Sequence, residues 1–157
     1  MIPVRSFHAL RLAPQPKHCM KKYILLKLAG LAILTMITLV IISILEVAVY
    51  SYLINPGQDT AVYNAHAEFS APYVSGIFGF IIFFLVVRFW KRKGYENVLR
   101  LALLFPATYV VLDALVLTIA GADWAGFILT YVLANGAKFL GSYLGYKLSR
   151  AKQQPVS

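Results

Sequence analysis

The amino-acid sequence predicts an all-α integral membrane protein: a four-helix bundle with antiparallel neighbours and both termini in the cytoplasm. Three observations carry that expectation. Of 157 residues, 60% are hydrophobic and only 13% charged, against roughly half and a quarter in ordinary soluble domains. Four apolar runs are long enough to cross the bilayer as helices, which takes about 20 residues for roughly 30 Å of hydrocarbon. The basic residues behind the net charge of +9 gather at alternate ends of those runs. The same composition excludes a disordered chain, which cannot be this rich in Leu, Ile, Val and Phe. A disulfide scaffold is excluded because Cys19 has no partner in the chain. A β-barrel would need alternating polar and apolar residues, and Ile77–Val87 shows no alternation.

Taken in order, residues 1–22 read as a cytoplasmic segment. Residues 1–19 are rich in Pro, Arg and His without periodicity. They are either a disordered extension or lie ahead of a natural start at Met20-Lys21-Lys22. The membrane domain is expected over 23–148. Its first span, 23–53, is too long for a signal-peptide core of 7–15 residues and reads as an uncleaved signal-anchor. Asn55-Pro56-Gly57 is a turn signal that ends it. Residues 54–70 form the outer loop, in which Val62, Tyr63, His66 and Phe69 fall near helical spacing. Either a short interfacial helix or an irregular loop fits there. The second span is expected over 72–90, with Ser70 as cap and Pro72 in its first turn. A cytoplasmic loop at 91–97 leads to the third span, 98–120. The fourth, 124–148, has Asp123 as N-cap, and 149–157 is a cytoplasmic tail.

Orientation follows from Lys and Arg, which favour the cytoplasmic flanks. Of the 15 basic residues, all but Lys138 lie before or at the entry of the first span, around the junction of the second and third, or after or at the exit of the fourth. Residues 54–70 and 121–123 carry none, and hold Asp59, Glu68 and Asp123 instead. The basic clusters are accounted for by orientation and by anionic lipid headgroups, with no nucleic acid required. The expected location is a bacterial plasma (inner) membrane. The lipid bilayer is the expected partner, and a homo-oligomer or a second membrane protein is left open. Aromatic residues near the span ends, such as Tyr50, Tyr73, Trp90 and Trp124, fit interfacial anchors.

Ionisable groups inside a span cost about 2.5–3.5 kcal/mol on insertion scales and mark candidate sites. Glu46, Asp113 and Lys138 are the three. At a rise of about 1.5 Å per residue, Asp113 lies roughly 18 Å from the cytoplasmic face, Lys138 roughly 10 Å and Asn135 roughly 15 Å. Helical side chains lean toward their own N-terminus, so Asp113 and Lys138 lean toward each other from antiparallel helices. Three readings follow: a structural pair fixing helix register, a functional polar site with Asn135 one turn away, or a Lys138 that snorkels to the cytoplasmic interface. Glu46, roughly 27 Å from the inner face, reads as an interfacial carboxylate partly in water. Its other reading is the outer gate of a polar path to Asp113. Pro106, about two turns before Asp113, predicts a kink.

Ala137, Gly141 and Gly145 recur every four residues, a small-residue ridge that lets helices approach closely. It suits packing within the bundle more readily than a homodimer. His66, Glu68 and Asp59 in the outer loop have ligating side chains, but His66-Ala67-Glu68 is no recognisable metal spacing, and solvated loop residues are expected. No HExxH, GxSxG, P-loop or CxxC occurs. No catalysis, metal or cofactor is therefore expected. Glu46-Val47 loosely resembles the first-span glutamate of small multidrug transporters. The likeness covers only a few residues and departs in the depth of Glu46, the long 54–70 loop and the strong charge bias, so the chain is not assigned to that family. The function expected from sequence is a non-catalytic accessory or scaffold component. The alternative is an oligomeric carrier or channel with a polar site at Asp113, Lys138 and Asn135.

Overall fold

The computed structural model describes residues 17–149, and they form an all-helical bundle. Its helices are α1 (Lys17–Val49), α2 (Thr60–Arg92), α3 (Val98–Ile119) and α4 (Trp124–Leu148). Residues 1–16 and 150–157, which hold most of the expected N-terminal segment 1–22 and of the expected tail 149–157, lie outside the described residues. Among the described residues, three stretches are long and apolar enough to cross a membrane: Tyr23–Ile54, Thr60–Arg92 and Val98–Ile119. The fourth helix has the length, at 25 residues, but Asn135, Lys138 and Ser142 interrupt its apolar face.

The first corner departs from the expected loop. α1 runs straight into a π-helical turn, Tyr50–Ile54, and the reversal is compressed into residues 55–59, with Gly57 at φ +79°. That left-handed conformation suits glycine because no Cβ meets the carbonyl. Tyr63 ties the corner together: its hydroxyl donates to the Asn55 carbonyl at 3.0 Å and accepts the Gln58 N–H at 2.9 Å. The helical spacing of Val62, Tyr63, His66 and Phe69 thus belongs to α2 itself, which begins at Thr60. Ser70 and Pro72 are correspondingly inside α2, and Ser70 caps nothing. The physical reason is that Ser70 has a better partner in Glu46, whose Oε2 accepts its hydroxyl at 2.8 Å. At 33 residues, α2 is roughly 50 Å long and exceeds the hydrocarbon thickness.

Asp123 is the N-cap of α4, its carboxylate accepting the Ala125 N–H at 3.1 Å. At the other end, Lys91 of α2 donates to the Tyr146 carbonyl at 2.6 Å and lies 4.3 Å from the Tyr146 ring centroid. A cation there complements the negative end of the helix dipole.

The core joins α1, α2 and α3. Phe83 stacks on Phe105 at 4.3 Å and meets Tyr109 edge-on at 5.5 Å, with Leu28, Ala32 and Leu39 closing the cluster. The most extensive interface is between α2 and α4. Its cause is the small-residue ridge. A Cβ added at Gly141 or Gly145 would run into the carbonyl oxygens of Phe80 and Phe84. The ridge is therefore consumed inside the chain, as bundle packing. Pro106 lies inside an unbroken α3. Its ring nitrogen cannot donate to the carbonyl of Ala102. Ser142 of α4 donates to that carbonyl at 2.5 Å, so the acceptor freed by proline is used to fasten α3 to α4.

Candidate functional site

A cavity of about 790 Å³ opens between all four helices. Exposed Glu68 and Asp123 stand at its rim, and Lys138, only 1% exposed, lies at its deep end. Between them the walls carry Ser75, Tyr109, Asp113, Tyr131 and Asn135, with apolar side chains of α1 and α3 completing the lining.

The lysine is held by its own helix and by α2. Its ammonium donates to Ser75 Oγ at 2.9 Å and to Asn135 Oδ1 at 3.1 Å, and it sits 4.5 Å from the Tyr109 ring centroid. Two hydrogen bonds and an aromatic face account for its donors, as burial of a charge demands. Space for its stem comes from Gly79: a Cβ there would stand 2.7 Å from Lys138 Cε. Asn135 is positioned in turn by Nδ2 donating to the Tyr131 carbonyl at 3.0 Å, and Tyr131 by its hydroxyl donating to the Val110 carbonyl at 2.9 Å. The site is thus anchored to α2, α3 and α4 by directed bonds.

The expected partnership between Asp113 and Lys138 takes a different form. Both line the same cavity, yet among the described residues the only ion pair within 4.0 Å is that of His66 with Glu46. Lys138 faces α2 because α4 packs most heavily there and Gly79 leaves room, while Asp113 of α3 lines the same cavity within electrostatic reach of Lys138. Nor does Lys138 snorkel to an interface, being buried. Asp113 is half-buried, and the Asn135 side chain lies within hydrogen-bonding reach of its carboxylate.

Glu46 is separate from this cavity and is fully engaged. His66 Nε2 lies 2.7 Å from Oε1, and Ser70 donates to Oε2. The imidazole is stacked on Tyr50 at 3.6 Å and 5°. His66 is therefore not a solvated loop residue but belongs to a clasp joining α1 to α2. No group of three metal-ligating side chains occurs among the described residues. Ala137 lines a shallow apolar groove of about 570 Å³ between α2 and α4, facing Gly76 and Ile77.

Sequence reasoning brought out Asp113, Asn135 and Lys138 but not Ser75, Tyr109, Tyr131 or Ser142. A signal existed. Tyr131, Asn135, Lys138, Ser142 and Gly145 are all buried and follow steps of three or four residues, one continuous face of α4. No protein family, curated protein or solved structure matches the chain.

Proposed function

We propose that this chain is a small multi-pass protein of the plasma membrane, with all four helices across the bilayer and both termini cytoplasmic. Its work is to bind a small solute or ion in the inter-helix cavity and carry it, as an oligomer, without catalysis. The placement of basic residues supports the orientation, because they cluster at the 91–97 end and the rim of the cavity carries only acidic ones. On that reading the cavity opens on the outer side.

The observation that carries the reading is a cavity lined by a buried lysine, a half-buried carboxylate and an amide, in a setting where each polar group is costly. An accessory or scaffold role, which the composition alone favours, gives such a cavity no purpose. The oligomer would use a face other than the Gly141–Gly145 ridge, since that ridge is already occupied by α2.

Plugging the mouth tests the proposal. Gly126 lines the cavity near the rim, and an added Cβ there meets only Asp123 at 3.4 Å. Gly126→Phe should fold as the wild type does but fail to complement a null strain and show no solute flux in vesicles. Full complementation by the plugged protein would return the scaffold role to first place.

A further inference from the structure

The chemistry of the cavity points to a class of ligand. Besides the tyrosines, its titratable lining comprises three carboxylic acids, Glu68, Asp113 and Asp123, and a single base, Lys138. The base is committed to Ser75, Asn135 and the Tyr109 ring. The Asn135 amide and the Tyr131 hydroxyl likewise donate to protein carbonyls. An anion entering the cavity would find the ammonium already engaged and the rim repulsive. Asp113 is the opposite case: a half-buried carboxylate that makes no ion pair within 4.0 Å among the described residues and keeps acceptor sites beyond the one that Asn135 faces.

The surroundings of Asp113 define the ligand further. Tyr109, Tyr131 and Phe127 present aromatic surface, and Met36, Leu39 and Leu117 present aliphatic surface. Aromatic faces attract cations within about 6 Å, most strongly when water is excluded. Metal ions that require a cage of oxygens are a poor fit, since no three metal-ligating side chains gather among the described residues.

We propose that the cavity binds an amphipathic ammonium ion, its charged head on Asp113 and its hydrocarbon body against the α1 and α3 walls. This rests on the reading of the cavity as a binding site. Glu68 and Asp123 at the rim draw the cation in, and Lys138 limits how deep its head can travel.

Three probes of matched size separate the inference from the reading beneath it: benzylammonium, benzyl alcohol and benzoate. The purified full chain in detergent micelles is titrated with each. The Trp124 ring, 5.3 Å from that of Tyr131, serves as the fluorescent reporter in a Trp90→Phe background. The expected result is binding of benzylammonium well ahead of the other two, weakened roughly ten- to hundred-fold by Asp113→Asn, the value of one charge-assisted hydrogen bond. If benzoate or benzyl alcohol binds as tightly as benzylammonium, or if Asp113→Asn keeps the amine, the cation inference fails while the binding site stands. If none of the three perturbs Trp124, both fail. Comparison of the probes on the wild type alone already decides the point should the Asp113 variant not fold.

Discussion

The two halves of α4 meet the rest of the bundle in opposite ways. From Gly141 to Gly145, backbone rests on the Phe80 and Phe84 carbonyls of α2 with no room for a methyl group. From Gly126 to Lys138, the same helix borders a cavity of about 790 Å³. Both halves use one face, and the difference lies in side-chain chemistry. Small residues at four-residue spacing let two helices close. Tyr131 and Lys138 hold them apart, because their polar ends reach Val110 of α3 and Ser75 of α2. Lys138 stands at the junction, its stem lying over Gly79 of the closed half and its ammonium at the floor of the open one. The lesson is that a close-packed seam gives a small bundle enough rigidity to keep a polar cavity open beside it.

The closed half should be the harder to alter. Gly141→Val must push the α2 and α4 backbones apart, so unfolding in detergent should show a loss of about 3 kcal/mol or more, at the upper end of overpacking. A loss below about 1 kcal/mol would mean the seam is not rigid. Ser142→Ala should cost about 1–2 kcal/mol by stranding the Ala102 carbonyl. Pro106→Ala supplies a backbone N–H to that carbonyl, so in its background the serine substitution should cost measurably less. An additive double-mutant cycle would contradict the role given to the pair. Gly79→Ala meets a flexible lysine stem rather than backbone, and its cost should fall below that of Gly141→Ala. Lys138→Met, a volume-matched apolar replacement, should leave stability within about 1 kcal/mol while changing what the cavity binds. The clasp of His66 and Glu46 is partly exposed, at 21% and 32%, so His66→Ala should cost about 1 kcal/mol or less.

Much of the closed half is legible in the sequence, because glycine and alanine at four-residue intervals have one geometric use. The cavity is less so. Asp113 and Lys138 stand out by charge, and their depths put them near one another. Which neighbour each faces depends on how α4 rolls against α2, and that is set by Gly76 and Gly79, residues that carry no chemistry of their own. Ser75 and Tyr109 are ordinary members of apolar helices until α4 brings Lys138 against them. The N-terminal stretch of α2 is illegible for another reason. Pro72 and Ser70 both resemble a helix start, and only the distant Glu46 turns Ser70 into an interior hydrogen-bond donor.

The contrast between the halves can be measured with two near-isosteric substitutions in a Cys19→Ser background. Ser75 lines the cavity, and Ser142 is fully buried in the seam. The account predicts that Ser75→Cys reacts with a small, membrane-impermeant thiol reagent added from outside the cell, and that Ser142→Cys does not react while the protein remains folded. Protection of both cysteines, or equal labelling of both, would contradict it.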